Sequence, residues 1–128
     1  MTLGIVGLDG EEREVRVIRE ARTDPSVRHP HLIDSERRIG YLALTSFTIE
    51  TPTEFAHALT ALGELKIQGL ILDLRGNPGG ILKSAIQIAE HFVPEGVITQ
   101  TRGRDEPVVY ERDMLAEREV FDVPLVVL

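Results

Sequence analysis

The 128-residue sequence contains no cysteine. That excludes disulfide frameworks, thiolate zinc sites and a cysteine nucleophile, and it is compatible with any compartment. Positive charge is also in short supply: 14 basic against 21 acidic residues leave a net charge of −7. A nucleic-acid surface needs basic residues gathered on one face; here they are scattered and often sit beside Glu or Asp, so no nucleic-acid partner is expected. No run approaches the roughly 18 apolar residues of a membrane span. The N-terminus lacks the basic, apolar and small-residue regions of a secretory signal. What remains is ordinary for a globular chain, 42% hydrophobic and 27% charged residues. A chain of this size buries roughly two-thirds of its unfolded surface, enough for one domain-sized core.

Periodicity divides the chain. Two strands are expected around Asp9-Gly10, a dipeptide suited to a tight hairpin turn, with Val15 and Val17 alternating with Arg and Glu. Residues 21–37 carry two prolines, mixed charge and little periodicity, and read as a linker. "IGYLALTSF" predicts a strand at about 39–47. Thr51, Pro52 and Glu54 form a capping-box start, and Phe55, Ala58, Leu59, Leu62 and Leu65 follow at helical spacing until Gly69. "LILDL" is a short continuous apolar run of the kind covered on both faces. Leu82, Ala85, Ile86, Ala89, Phe92 and Val93 mark a second amphipathic helix, stopped by Pro94 and Gly96. Strands near 97–101, 108–112 and 123–128 complete an α/β pattern of parallel βαβ units.

The stretch "DLRGNPGG", residues 73–80, is the candidate for chemistry. With "ILKS" after it, it superficially resembles a phosphate loop. That loop needs its last glycine directly before the lysine, and here Ile81 and Leu82 separate Gly80 from Lys83. Glycines between a strand and a helix start leave backbone N–H groups reachable, and the helix dipole favours negative charge there. Gly79 and Gly80 thus fit either an oxyanion donor or a plain strand-to-helix turn. Asp73 and Arg75 lie two apart, on one face of the strand. A carboxylate inside "ILDL" needs donors, so Arg75 or the following amides are expected to brace it, while Asn77 caps the helix or ties down the loop.

No metal or cofactor is expected. His29 and His31 flank Pro30 with no third ligand spaced nearby, and His57 and His91 read as exposed or boundary positions on the two helices. Ser26, Ser35, Ser46 and Ser84 lack a nucleophile-elbow context, and Lys66 and Lys83 lack an evident serine to activate.

"IGYLALTSF", "TPTEFAHALTAL", "GLILDLRGNPGGILKSAIQIAEHFV" and "VPLVVL" resemble, in that order, the core of the carboxy-terminal processing proteases, also called tail-specific proteases. The resemblance covers roughly residues 38–128, and "LILDLRGNPGG" is its most specific part. It implies a partial crotonase-like α/β core and peptide-bond hydrolysis by a Ser–Lys pair. It further implies an oxyanion donor from the Gly79–Gly80 pair, with Asp73, Arg75 and Asn77 as its support. Residues 1–20 resemble the terminal hairpin of the PDZ module that precedes this core, which makes 21–37 the linker and 38–128 the N-terminal part of the protease domain. Protein or peptide substrates recognised by their C-terminal tails, and a periplasmic or cell-envelope setting, follow from the same resemblance.

The family's serine follows the "PLVVL" strand and its lysine comes later, so neither falls within residues 1–128, and Ser84 and Lys83 do not match those positions. The chain is therefore expected to be an inactive fragment that self-associates through its apolar last strand. A non-catalytic peptide-binding protein on the same fold, and an anion- or nucleotide-binding α/β domain, are the alternatives.

Overall fold

The computed structural model describes residues 2–18, 24–103, 107–112 and 120–128. The chain opens with the expected hairpin, strands β1 (Thr2–Val6) and β2 (Glu12–Arg16), paired antiparallel from Thr2–Arg16 to Val6–Glu12. Its turn is longer than a two-residue one. Gly7 N–H donates to Glu11 O at 2.9 Å, and Gly10 takes a φ of +79°, a conformation glycine adopts without steric cost.

The linker expectation is corrected over Val27–Asp34, which forms strand β3. β3 pairs antiparallel with β4 (Ile39–Leu44), with register shifts between Arg28 and His31 and between Leu32 and Asp34. Pro30 and the shifts are tolerated because β3 is an edge strand. Most of its positions are exposed, so the two-residue alternation that would announce a strand is missing from the sequence.

Helix α1 (Thr51–Glu64) returns the chain to β5 (Gly69–Asp73), which runs parallel to β4, and β8 (Leu125–Val127) lies parallel on the far side of β5. The four-stranded order β3-β4-β5-β8 delivers the expected parallel βαβ units. Helix α2 (Leu82–Ala89) follows β5, and β6 (Val97–Thr101) with β7 (Val108–Glu111) makes a separate two-stranded ribbon.

One sheet face, carrying Leu42, Leu44, Leu70 and Leu72, packs on Phe55, Ala58, Leu59 and Leu62 of α1 and Ile88 of α2. Burying such side chains contributes about 1.5–3 kcal/mol each. The opposite face carries Tyr41, Ile71 and Asp73, and among the described residues no helix covers it. Among the described residues "LILDL" is therefore covered by a helical layer on one side only, and Ile71 is half-buried.

Three local expectations shift. Glu54 does not complete a capping box; its carboxylate turns to Ser26 and Val27 of the neighbouring segment. α1 ends at Glu64, before Gly69, and Lys66 adopts the left-handed conformation with φ +53°. α2 ends at Ala89 rather than beside Pro94, and tight turns carry the chain to Val93, with His91 N–H bonded to Ile88 O and Phe92 N–H to Ala89 O. No described helix is long and apolar enough to cross a membrane.

Candidate active site

Asp73 closes β5 and is almost fully buried, at 6% exposure. Arg75 reaches back in a fork: Nε to Oδ1 at 3.0 Å and Nη2 to Oδ2 at 2.7 Å, while its own backbone N–H donates to Oδ1 at 2.9 Å. A third donor comes from across the sheet, where the Tyr41 hydroxyl bonds Oδ2 at 2.8 Å. The sequence did not announce Tyr41, because only the β4–β5 register brings it diagonally next to Asp73 on one face.

These bonds hold the Asp73 carboxyl well below the ordinary carboxylate range, with the Arg75 guanidinium as the largest cause, then the Arg75 amide and Tyr41. Arg75 is raised in turn by Asp73, and the Tyr41 phenol is raised by its bond to the same carboxylate.

The depressed carboxyl predicts a pH effect. The folded state keeps Asp73 ionised where the unfolded chain, with a carboxyl pKa of about 4, already binds a proton. Its stabilisation is therefore complete above about pH 4 and is lost as pH falls below that value. Glu54 and Asp34 are also lowered and add to acid sensitivity, so the difference between wild type and Asp73→Asn isolates this group. Thermal unfolding of both proteins should show a gap at pH 7 that narrows toward pH 2.5. A gap of constant size across that range would mean that the brace carries no charge-dependent stabilisation.

After the brace the chain turns at Gly76, φ +75°, where Asn77 N–H bonds Leu74 O at 3.0 Å. The Asn77 side chain works at both ends. Its Nδ2 donates to Leu44 O at 2.9 Å, at the end of β4, and its Oδ1 accepts from Gly79 N–H at 2.7 Å. Of the two alternatives open in the sequence, helix cap or loop tie, Asn77 is the tie. The Gly79 amide is thereby committed.

Gly80 sits differently. It forms a parallel bridge with Phe47, in which Phe47 N–H donates to Gly79 O at 3.1 Å and Ile81 N–H donates to Phe47 O at 2.7 Å. Those two bonds use the groups flanking Gly80 and leave its own N–H unpaired and facing outward, just before the first turn of α2. A side chain at Gly80 has no room: a Cβ would lie 2.2 Å from Phe47 O. Of the Gly79–Gly80 pair, the turn thus leaves the Gly80 amide without a partner among the described residues, where the α2 dipole is positive, an arrangement able to hold developing negative charge.

The other candidates lie apart. Lys83 is exposed, and Ser84 is buried with its hydroxyl donated to Thr48 O at 2.6 Å. His31 packs at a tilt against Tyr41, and His91 likewise against Phe55. Among the described residues no three His, Asp or Glu side chains gather at metal-binding distance. The last strand does approach the turn: Leu128 N–H bonds Leu72 O at 3.0 Å, and Leu74 N–H bonds Leu128 O at 2.8 Å.

The parallel sheet with helices and the glycine turn at a strand-to-helix junction define an α/β protein, and a helix N-terminus at such a junction favours negative charge. More narrowly, the chain belongs to Peptidase family S41, whose family model matches residues 38–128. It is 42% identical over 91 residues to a carboxyl-terminal-processing protease of Synechocystis, covering 70% of this chain and 21% of that protein. It is 30% identical over 132 aligned residues to a carboxy-terminal-processing protease of Bartonella bacilliformis, covering 100% and 29%. With carboxy-terminal processing protease CtpB of Bacillus subtilis it shares 47% identity over 55 residues, 43% of this chain and 12% of the relative. The solved structure of a photosystem II D1 C-terminal processing protease superposes with a TM-score of 0.69 over 94% of this chain and 34% of that one, at 23% identity, and so shares the fold. The chain thus spans less than a third of the length of the three curated relatives and about a third of the solved one.

Proposed function

We propose that this chain forms the oxyanion-turn portion of a serine endopeptidase that cleaves proteins at or near their C-terminal tails. The observation that carries the reading is the unpaired Gly80 amide, the only one of the two glycine amides left for an incoming oxyanion. Acyl transfer by a Ser–Lys pair passes through a tetrahedral intermediate whose oxyanion needs such a preorganised donor. The serine and lysine are assigned to the longer protein, beyond residue 128. Leu128 is hydrogen-bonded between Leu72 and Leu74, so a nucleophile shortly after it would emerge beside the glycine turn.

In the same reading the core is crotonase-like, residues 1–20 with the hairpin β1–β2 are the C-terminal hairpin of a PDZ-like module, and the parent enzyme works in the periplasm or cell envelope without metal or cofactor. The 128-residue chain alone is inactive and self-associates through the open edge of β8, where Val126 and Val127 are about half exposed.

A fluorophosphonate probe tests the assignment. It should label one serine beyond residue 128 in the longer protein and none in the 128-residue chain, and sedimentation of the latter should show concentration-dependent association. Labelling within residues 1–128 would move the nucleophile and defeat the proposal. A longer protein that binds tail peptides without cleaving them would favour a non-catalytic binding role.

A further inference from the structure

A buried polar chain runs behind the glycine turn and is not used by the chemistry above. Residues 45–48 form a strap between β4 and α1, and Phe47 of this strap bridges Gly80. Everything that fixes the strap therefore bears on the direction of the Gly80 amide. The Thr48 peptide is held on both sides by hydroxyls of buried residues. Its N–H donates to Thr51 Oγ1 at 2.7 Å, and its carbonyl accepts from Ser84 Oγ at 2.6 Å. Thr51 is 0% and Ser84 3% exposed, so neither hydroxyl has ready access to water as a substitute partner.

Donor and acceptor directions follow from the far end of the chain. Glu54 is a carboxylate and only accepts; its Oε2 takes Ser26 N–H at 2.8 Å, Ser26 Oγ–H at 2.7 Å and Val27 N–H at 3.1 Å. Ser26 Oγ has thereby spent its proton, so Thr51 donates across the 2.7 Å contact to Ser26 Oγ, which is far shorter than its alternative 3.4 Å contact with Ser46 O. Thr51 Oγ1 is then left with lone pairs for the Thr48 amide. The order is Thr48 N–H to Thr51, Thr51 O–H to Ser26, Ser26 O–H to the Glu54 carboxylate. Each hydroxyl in such a chain polarises the next. Ser26 O also accepts from Thr45 N–H at 2.8 Å, which ties the start of the strap to the same node.

We propose that Thr51 and Ser84 are positioning residues for the oxyanion donor: they clamp the Thr48 peptide, which aligns Phe47 and through it the Gly80 N–H. This rests on the reading of Gly80 as that donor. Neither residue touches substrate. A strap released at Thr48 lets the Phe47–Gly80 bridge shift, and small misplacements of a catalytic group cost up to about a hundredfold in rate.

Two measurements test it. In the 128-residue chain, Thr51→Val and Ser84→Ala should speed hydrogen exchange at the Phe47 and Ile81 amides by about tenfold or more, with the β4–β5 ladder unaffected. In the longer protein the same variants should lower kcat by about tenfold to a hundredfold with KM unchanged, and weaken a peptide boronate in parallel. Thr51→Ser, which keeps the hydroxyl, should restore both. Ser84→Ala keeps the proposal testable if Thr51→Val does not fold. Wild-type protection at Phe47 and Ile81 would overturn it. So would wild-type kcat in both variants when Gly80→Ala abolishes activity. If Gly80→Ala itself leaves kcat unchanged, the donor reading fails, and the exchange result alone then decides whether the clamp exists.

Discussion

On the proposed reading of Gly80 as an oxyanion donor, replacing it by alanine in the longer protein is expected to lower kcat by about a hundredfold to a thousandfold, the usual consequence of losing one such donor. The cause is local and steric. The new Cβ would lie 2.2 Å from Phe47 O, 2.8 Å from Phe47 C and 2.9 Å from Phe47 N, all backbone atoms that cannot rotate away. Gly80 also holds a φ of +150°, which a residue with a Cβ rarely adopts. The turn must therefore move off the strap, breaking the bonds from Phe47 N–H to Gly79 O and from Ile81 N–H to Phe47 O. The free amide then points elsewhere. Substrate contacts remote from the turn are untouched, so KM should change little. Gly79→Ala is the informative comparison: its φ of +104° makes it strained, but a Cβ there meets nothing within 4 Å. A Gly80→Ala enzyme within a few-fold of wild-type kcat, with cleavage intact, would remove Gly80 from the oxyanion hole.

The largest stability effect is expected at Phe55, whose truncation to alanine should cost about 3–5 kcal/mol. Its side chain is 0% exposed and sits where α1 meets both the sheet and the segment after α2. It packs edge-to-face on Phe92, with ring centroids 6.0 Å apart, and lies 5.8 Å from the ring of His91. Leu42, Leu44, Leu62 and Ile88 belong to the same cluster, and a backbone this constrained by sheet pairing cannot collapse into the space left behind. Against a typical total stability of about 5–15 kcal/mol, this is a substantial fraction. Urea unfolding should show a lower midpoint with an unchanged slope. A loss below about 1 kcal/mol would mean the site is not packed as described. Because α2 follows the glycine turn directly, the same substitution should also loosen the turn, and in the longer protein the proposed activity should fall at temperatures where the wild type is still folded.

The two effects illustrate different kinds of information in the chain. Phe55, Leu59 and Leu62 announce a buried helix face by spacing alone, since a 3.6-residue period places them together whatever they pack on. The hairpin glycine and the parallel strand-helix-strand order were legible for similarly local reasons. Strand β3 was not. Its stability comes from pairing with β4 and from the Glu54 carboxylate on Ser26 and Val27, while Pro30 and its exposed charges mask any alternation. Glu54 has the local spacing of a cap but does not act as one. Its local partner was outcompeted by two amides and a hydroxyl that lie 27 and 28 residues away in sequence.

By itself, then, the sequence determined where the helices and the glycine turn fall, because those depend on side-chain period, glycine conformational freedom and neighbours within a few residues. It also set Asp73 and Arg75 two residues apart, but β5 ends at Asp73, so Arg75 reaches back from the following turn rather than along a shared strand face. Only the tertiary structure decided which glycine amide is free. That outcome depends on Asn77 spanning 33 residues to Leu44 and on Phe47 meeting Gly80, contacts between segments that share no local signal. The third donor to Asp73 was decided in the same way, by a parallel register that sets Tyr41 beside it. Hydrogen bonds between distant segments exist only once the chain has collapsed, so their geometry cannot be read from any window of the sequence.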